Sequence, residues 1–342
     1  MRLLINKNDE GSSEIQALTG SFYESNEFSK IKTDWLLAQE EIESLVGSAV
    51  INRALDHYES NAYLSESSST DIAINDELVE YLQMPMAYLA TIRFYESNLV
   101  SHEDTGRKVK IDADNEKMAW EWMLDRDDAA QLRKANSTQD RLLKFLEANN
   151  IAEWLDSDKR KMSRKLFINS AQLFQEAYPI DLSTRFFYTV TPFIQEVQNR
   201  VIKKALGAKY APLLEYWMNF NQLEGSSSNG GLPGDESSPE LDELLEMVQL
   251  VMPLLTMVIA VKRLALQVLP EGVVQNFKSM GEARSASQPA LQEIIKIHCE
   301  ILNEDAKYTL DDIKVHLHAA DPEALEYQLL PENSAENKFF RT

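Results

Sequence analysis

The chain has 342 residues, with 44% hydrophobic and 26% charged side chains, a composition normal for a soluble globular protein with room for about two domains. Its formal net charge of −21 repels phosphate, so binding to nucleic acid would require a concentrated basic patch. A lone cysteine excludes an internal disulfide framework, and the opening MRLLINKNDE has no apolar run long enough for a signal peptide.

Helical patterns dominate the first part of the chain. The segment from Thr33 to Tyr58 places six apolar residues near one helical face, and Gly47 marks a break within the run. Those six residues are Leu37, Ile42, Leu45, Val46, Ala49 and Val50. The Ser-rich stretch at 60–70 predicts a loop, because it lacks the apolar surface that would order it.

A second set of signals predicts two more helices in this half. One begins at about Asp76, where Asn75 can cap it, and Pro85 predicts either a kink or a later start. Residues 100–112 predict a turn or hairpin around a single glycine. A long helix is then predicted over roughly 113–148.

The second half repeats the landmarks of the first half in the same order. KLFIN at 165–169 matches RLLIN at 2–6, and DELLEMVQLVMPLL at 242–255 matches DELVEYLQMPMAYL at 76–89. The longer pair lies 166 residues apart and has seven identical positions. A tandem duplication with a seam near 155–165 explains this order. Convergent composition of amphipathic helices is the alternative explanation.

These signals predict a mainly α fold of two tandem, similar helical-bundle domains with small β-hairpin or turn elements. The predicted domains are 1–157 and 166–330, joined by a basic linker at 158–165 and followed by a flexible tail at 331–342. The most apolar segment, 250–261, is too short to span a bilayer and predicts a buried helix. The methionines of the two DEL helices are predicted to be core residues, with an oligomer interface as the alternative.

No catalytic, cofactor-binding or metal-binding residue is predicted. His316 and His318 could share a strand face, and His298 precedes Cys299, yet none of them has the spacing of a metal site. Cys299 occupies an apolar position of a helix, which favours a buried structural thiol over a nucleophile. The acidic run at 125–128 is interpreted as a solvated helix face.

Two segments are predicted to bind partners. The first is the cluster DKRKMSRK, whose cations are Lys159, Arg160, Lys161, Arg164 and Lys165. It is either a solvated linker or a contact to an acidic partner or DNA. The second is the polar tail 332–342, which ends with Phe339, Phe340 and Arg341 and suits docking into a groove of a neighbour, unless it is a frayed terminus. The loops at 60–75 and 224–240 are further candidate contacts.

The opening MRLLINKND, the I-x-x-L-V-G turn, the helix QMPMAYLATIRFYESN, the turn around Gly106 and the helix ending LLKFLEANN resemble an uncharacterised family of phage and prophage proteins from Bacteroidetes genomes. The resemblance covers mainly 1–150, and its members are similar to head–tail connector or head-completion adaptors. It implies a non-enzymatic virion protein without cofactors, made in the host cytoplasm and placed at the head–tail junction.

The resemblance also implies a set of partners. Copies of the chain would form a ring, six-fold or twelve-fold, that contacts portal and tail or neck proteins. DNA would pass through its channel without specific binding, and no membrane would be involved. The alternatives are a helical enzyme with a carboxylate-based site, and a monomeric helical regulator or chaperone. A converging acidic pocket would favour the enzyme, and a monomeric state would favour the regulator.

Overall fold

The computed structural model describes residues 2–22, 26–65, 69–98, 100–103, 106–109, 120–223, 238–264, 266–269, 272–275 and 292–320. The described chain is mainly α-helical, which confirms the predicted fold class. It divides into two compact units. Among the described residues, unit 1 comprises those up to Lys161 and unit 2 those from Met162 onward.

Unit 1 is built around one long central helix. Its elements are α1 (Gly11–Thr19), α2 (Phe28–Val46), α3 (Ser48–Glu59), α4 (Thr70–Ser97), β1 (Val100–Glu103), β2 (Gly106–Val109), α5 (Glu121–Ala148), α6 (Ala152–Leu155) and the first part of α7 (Asp158–Arg164). Strands β1 and β2 pair antiparallel. Helix α4 packs against α1, α2, α3 and α5, so the core of the unit surrounds it.

Helix α4 begins earlier than the sequence predicted. It starts at Thr70, where the Ser69 hydroxyl accepts a hydrogen bond from the Ile72 N–H, and it continues through Pro85. The predicted cap, Asn75, lies inside the helix and instead accepts a hydrogen bond from Arg53 at 2.9 Å. Proline removes only one backbone bond, and the burial of this helix on several sides compensates for that loss.

The buried face of α2 also differs from the prediction. Leu37 is 48% exposed, whereas the buried side of α2 is formed by Ile31, Trp35, Ala38, Gln39, Ile42 and Val46. The helix begins at Phe28, before the predicted segment, and its buried face includes Ile31, which also precedes that segment. The break at Gly47 is confirmed: this residue has φ 94° and separates α2 from α3.

Unit 2 presents its elements in the same order. They are α8 (Ala171–Ala177), α9 (Thr184–Val197), a π-helical segment (Gln198–Ile202), α10 (Lys203–Leu206), a 3₁₀ turn (Gly207–Lys209), α11 (Tyr210–Leu223), α12 (Pro239–Leu264), β3 (Leu266–Leu269), β4 (Gly272–Gln275) and α13 (Gln292–Ala320). Strands β3 and β4 pair antiparallel. Helix α12 packs against α8, α9, α11 and α13 and occupies the position in unit 2 that α4 has in unit 1.

Among the described helices, α12 alone is long and apolar enough to cross a membrane by length and composition. The helix has 26 residues, so the short apolar segment 250–261 is only part of it, and the length of that segment does not give the length of the helix. Of its most apolar window, 56% is buried inside the protein, as expected for the central helix of a folded core. The prediction of a buried helix is therefore confirmed.

Two buried glutamines hold the N-terminal segment of unit 1. The Gln39 side chain accepts a hydrogen bond from the Leu4 N–H at 3.1 Å and donates one to the Arg2 carbonyl at 3.0 Å. Gln83, from α4, donates to the Leu4 carbonyl at 3.0 Å. We call this arrangement the glutamine clamp of unit 1. It satisfies the polar backbone atoms of a segment that no strand pairs with, which a buried chain requires.

Unit 2 has the same clamp. Gln198 accepts a hydrogen bond from the Phe167 N–H at 2.9 Å and donates one to the Lys165 carbonyl at 3.1 Å. Gln249, from α12, donates to the Phe167 carbonyl at 3.1 Å. Phe167 is the third residue of KLFIN, and Leu4 is the third residue of RLLIN, so the two residues occupy matching positions. The clamps therefore bind matching backbone atoms through matching helices.

Helix α3 of unit 1 and helix α11 of unit 2 each add two further bonds of a similar kind. In unit 1, His57 Nε2 lies 2.7 Å from Asp76 Oδ1, and the next residue, Tyr58, accepts a hydrogen bond from the N-terminal segment. In unit 2, the Tyr216 hydroxyl donates to Asp242 at 2.6 Å. The next residue, Trp217, donates to the N-terminal segment of its own unit. The two aspartates are the first residues of the two DEL motifs, 166 positions apart.

Candidate interaction surfaces

The basic segment predicted as a linker at 158–165 is helical over most of its length, as α7 (Asp158–Arg164). The Lys159 ammonium group donates a hydrogen bond to the Ser44 carbonyl at 2.6 Å. Burial lowers the pKa of Lys159 below its ordinary value. Lys159 therefore ties α7 to the end of α2 and is not a free cation for a partner.

Two more cations of α7 have partners in unit 1. Arg160 lies 2.7 Å from the Glu147 carboxylate at the end of α5. Lys161 lies 3.2 Å from Asp156, and both of these side chains are exposed. Lys159, Arg160 and Lys161 of this segment therefore all have partners in unit 1.

The remaining two cations of the basic segment belong to unit 2. Arg164 and Lys165 are exposed, and neither forms an ion pair with another described residue. Gln198 donates to the Lys165 carbonyl and also to the Tyr210 hydroxyl at 3.2 Å. The Lys203 ammonium group lies 5.8 Å from the centre of the Tyr210 ring. The Lys165 backbone carbonyl and the Lys203 ammonium group thus lie near the same tyrosine of unit 2.

An open cleft of about 660 Å³ lies in unit 1 between the α2–α3 junction and α6–α7. Its lining includes Glu153, Asp156, Asp158 and Lys159. Glu153 is paired with Arg53 at 2.8 Å, and Lys159 is engaged by a backbone carbonyl. Both groups are therefore engaged by partners within unit 1.

The nearest approach to a carboxylate site lies at the start of α5. Burial raises the pKa of Asp128, and the negative charges of Glu96, Asp127 and Asp125 raise it further. The face is therefore only partly solvated, in contrast to its interpretation from sequence. Within the described ranges, no group of three or more His, Cys, Asp or Glu residues is placed to hold a metal ion.

The histidines predicted to share a strand lie in helix α13 instead. His316 Nδ1 lies 3.6 Å from Glu243, and His298 lies 3.1 Å from the Tyr178 hydroxyl. Cys299 is buried, which confirms its prediction as a buried thiol.

One face of α13 carries five exposed large apolar side chains, a feature that the sequence reasoning missed. We call it the α13 stripe, and its members are Ile294, Ile297, Ile301, Tyr308 and Val315. Their side chains are between 51% and 71% exposed. The opposite side of the helix faces the core through Cys299, Leu302, Ala306 and Ile313. The spacing of three, four, seven and seven residues was visible in the sequence and is the signal that could have revealed the stripe.

Helix α5, which follows the strand pair of unit 1 as α13 follows that of unit 2, presents a different surface. Its exposed positions after the first turn are Arg126, Asp127, Arg133, Lys134, Ser137, Arg141, Lys144 and Ala148. Only Trp122 and Met123, near its start, are exposed large apolar residues. The two helices therefore differ where they face outward.

Several predicted contacts lie outside the described residues. They are Phe339, Phe340 and Arg341 of the tail, and most of the loop at 224–240. In the loop at 60–75, residues 60–65 form turns and Ser69 caps α4.

Residues 36–164 match the model of a family of unknown function, DUF6712. The match begins within α2 and ends with α7, so it covers most of unit 1. Comparison with curated proteins and with solved structures returned no match.

Proposed function

We propose that this chain is a non-enzymatic structural subunit that assembles with copies of itself into a ring at the head–tail junction of a phage virion. The observation that carries the assembly is the α13 stripe. The virion setting rests on the resemblance of residues 1–150 to phage adaptor proteins. In this setting, portal and neck or tail proteins are the partners on either side of the ring.

Leaving the α13 stripe in water costs free energy, and assembly removes apolar surface from water. From Ile294 to Val315 the stripe runs for about 32 Å along the helix. Exposed large apolar side chains that cluster on one helix face are a feature of interaction sites on soluble proteins. A helix face about 10 Å wide falls short of the roughly 800 Å² that each partner contributes to a standard interface. Other contacts must therefore supplement it, and a ring provides them on both sides of each subunit.

The proposal includes an internal duplication. The two units have the same order of elements, the same central-helix packing and the same glutamine clamp. A chain of two similar units would let six copies present twelve similar units to a twelve-fold portal. The acidic surface would let DNA pass without tight phosphate contacts, because like charges repel.

Mass photometry of the purified chain, followed by cryo-EM, tests the proposal. We expect a closed ring of six chains. A ring of twelve chains would support assembly and overturn the matching of six chains to twelve portal subunits. A monomer at micromolar concentration would overturn the proposal and favour the monomeric regulator.

A pair of variants tests whether the α13 stripe carries the assembly. Ile297→Lys with Ile301→Lys is expected to convert rings to smaller species while the thermal unfolding midpoint changes little, because both side chains are more than half exposed. The matched control is Ser137→Lys with Ala148→Lys, which adds the same charge at exposed positions of α5. If both double variants assemble like the parent chain, the stripe is not the interface.

A further inference from the structure

The outer surface at the end of α2 in unit 1 is acidic. Glu40 and Glu43, with Ser44 and Ser48, line a shallow depression. Glu40 is exposed, and neither glutamate forms an ion pair with another described residue, unlike their neighbour Glu41. The open cleft that Ser44 and Ser48 also line adjoins this depression. Glu40 and Glu43 therefore carry negative charge that no ion pair within the described part of unit 1 neutralises.

The corresponding surface of unit 2 is basic. Lys203 and Lys204 are exposed at the start of α10, and neither forms an ion pair with another described residue. Lys165 is exposed as well, and its backbone carbonyl accepts a hydrogen bond from Gln198, which also donates to Tyr210 near the Lys203 ammonium group. Arg164 precedes Lys165 and is exposed as well. In a chain of net charge −21, this basic patch is a local reversal.

These two surfaces occupy matching places in the two units. Glu43 and Lys203 each lie four residues before the glycine that ends the helical run, at Gly47 and Gly207. Glu43 and Lys203 are 160 residues apart, and so are Gly47 and Gly207. Two similar units therefore present opposite charges from the same place in the fold.

We propose that the basic patch of unit 2 binds the acidic depression of unit 1 in a second copy of this chain. The contact is heterologous, because different surfaces of the two copies meet, and its repetition generates a closed ring or a filament. This inference rests on the proposed self-assembly and adds its polarity: each chain is joined through unit 2 to unit 1 of the next.

A second copy fits the basic patch better than nucleic acid does. Sustained phosphate binding needs many cations, whereas four are available here in a strongly acidic chain. The net charge makes two copies repel at long range, but at physiological ionic strength this repulsion is screened beyond about 8 Å. Close pairing of opposite charges then fixes which surfaces meet.

Two charge-reversal variants, tested separately and as a mixture, test the inference. Lys203→Glu with Lys204→Glu leaves a chain with two acidic surfaces, and Glu40→Lys with Glu43→Lys leaves a chain with two basic surfaces. We expect each double variant to weaken self-association roughly tenfold or more at 0.15 M salt. An equimolar mixture of the two variants should recover assembly, because opposite surfaces alternate again around the mixed ring. Lys30→Glu with Lys262→Glu reverses two exposed cations elsewhere and serves as the control.

Mass photometry reads the assembly, circular dichroism verifies folding, and fluorescence anisotropy measures binding to a DNA oligonucleotide. If the parent chain forms rings and both charge variants form the same rings, the inference is overturned while the proposed function stands. If the parent chain is a monomer, the proposed function fails and the inference fails with it. Loss of DNA binding in the Lys203 and Lys204 variant, with unchanged rings, would overturn the inference in favour of nucleic acid as the partner.

Discussion

Unit 1 and unit 2 hold their N-terminal segments with the same pair of glutamines, yet they differ on their outward faces. Gln39 in one unit and Gln198 in the other bind the same two backbone atoms of matching segments. On the surface, the exposed positions of α5 are mostly charged, whereas α13 carries an apolar stripe. The interior is constrained because a buried polar group without a partner is costly, and the surface has no such constraint. Differences in function between the units are therefore expected on their surfaces.

The largest effects should come from matching core substitutions in the two central helices. Met86 and Met252 occupy identical positions of the DEL repeat, and both are fully buried. We expect Met86→Ala and Met252→Ala each to lower the free energy of unfolding by about 3 kcal/mol, through lost burial and a residual cavity. Urea unfolding followed by circular dichroism measures the loss, and hydrogen exchange shows which unit opens. Effects that differ by more than about 2 kcal/mol would contradict the equivalence of the two positions.

The glutamine clamps should give the next largest effect. Gln39→Ala leaves the buried Leu4 N–H without its partner and removes the partner of the half-buried Arg2 carbonyl, at a cost of about 2 kcal/mol. Gln198→Ala should cost about the same in unit 2. Lys32→Ala, at an exposed position of α2, is the control and should change the unfolding free energy by less than about 0.5 kcal/mol. A clamp variant as stable as that control would show that the clamp does not contribute to folding.

The smallest effects are electrostatic and should have opposite signs in the two long outer helices. The pKa of Asp128 in α5 is raised, so its contribution to stability is complete below the ordinary pKa of 3.8 and is lost as pH rises through the higher folded value. Asp128→Asn should therefore raise the unfolding midpoint at pH 7 and leave it unchanged at pH 3.

Asp311 in α13 is the matched comparison. Its hydrogen bond to Lys314 lowers its pKa, so it contributes stability above 3.8 that is lost as pH falls through the lower folded value. Asp311→Asn should lower the unfolding midpoint at pH 7. Thermal melts across pH 3 to 8 measure both variants. Midpoint shifts of the same sign in both would contradict the opposite pKa shifts of Asp128 and Asp311.

The features that local sequence determines were predictable. Gly47 ends a helix because a positive φ is accessible to glycine, and Cys299 is buried because it lies at an apolar helical position. The mainly helical class followed from the periodicity of apolar residues.

Features that depend on distant contacts were not predictable in the same way. Leu37 was assigned to the core because it is apolar, yet the buried face of α2 is set by Trp35 and by the bond from Gln39 to a segment 35 residues earlier. The early start of α4 depends on the Ser69 cap, which lies in a Ser-rich stretch whose composition predicts a loop. The α13 stripe was missed because an apolar helix was interpreted as having one buried face, while this helix has apolar residues on two faces.

The π-helical segment of unit 2 shows where this architecture tolerates a change in chain length. Three residues separate Gln198 from Ile202, whereas two separate Gln39 from Ile42, and the side chains of these four named residues are buried. An extra residue in a regular helix would rotate every later side chain by about 100°, but a single wide turn absorbs it locally. An inserted residue at this turn changes which residues of the helix face solvent, while the buried residues keep their neighbours. Length variation at one turn, in addition to substitution, is thus a route by which one unit acquires a surface that its counterpart lacks.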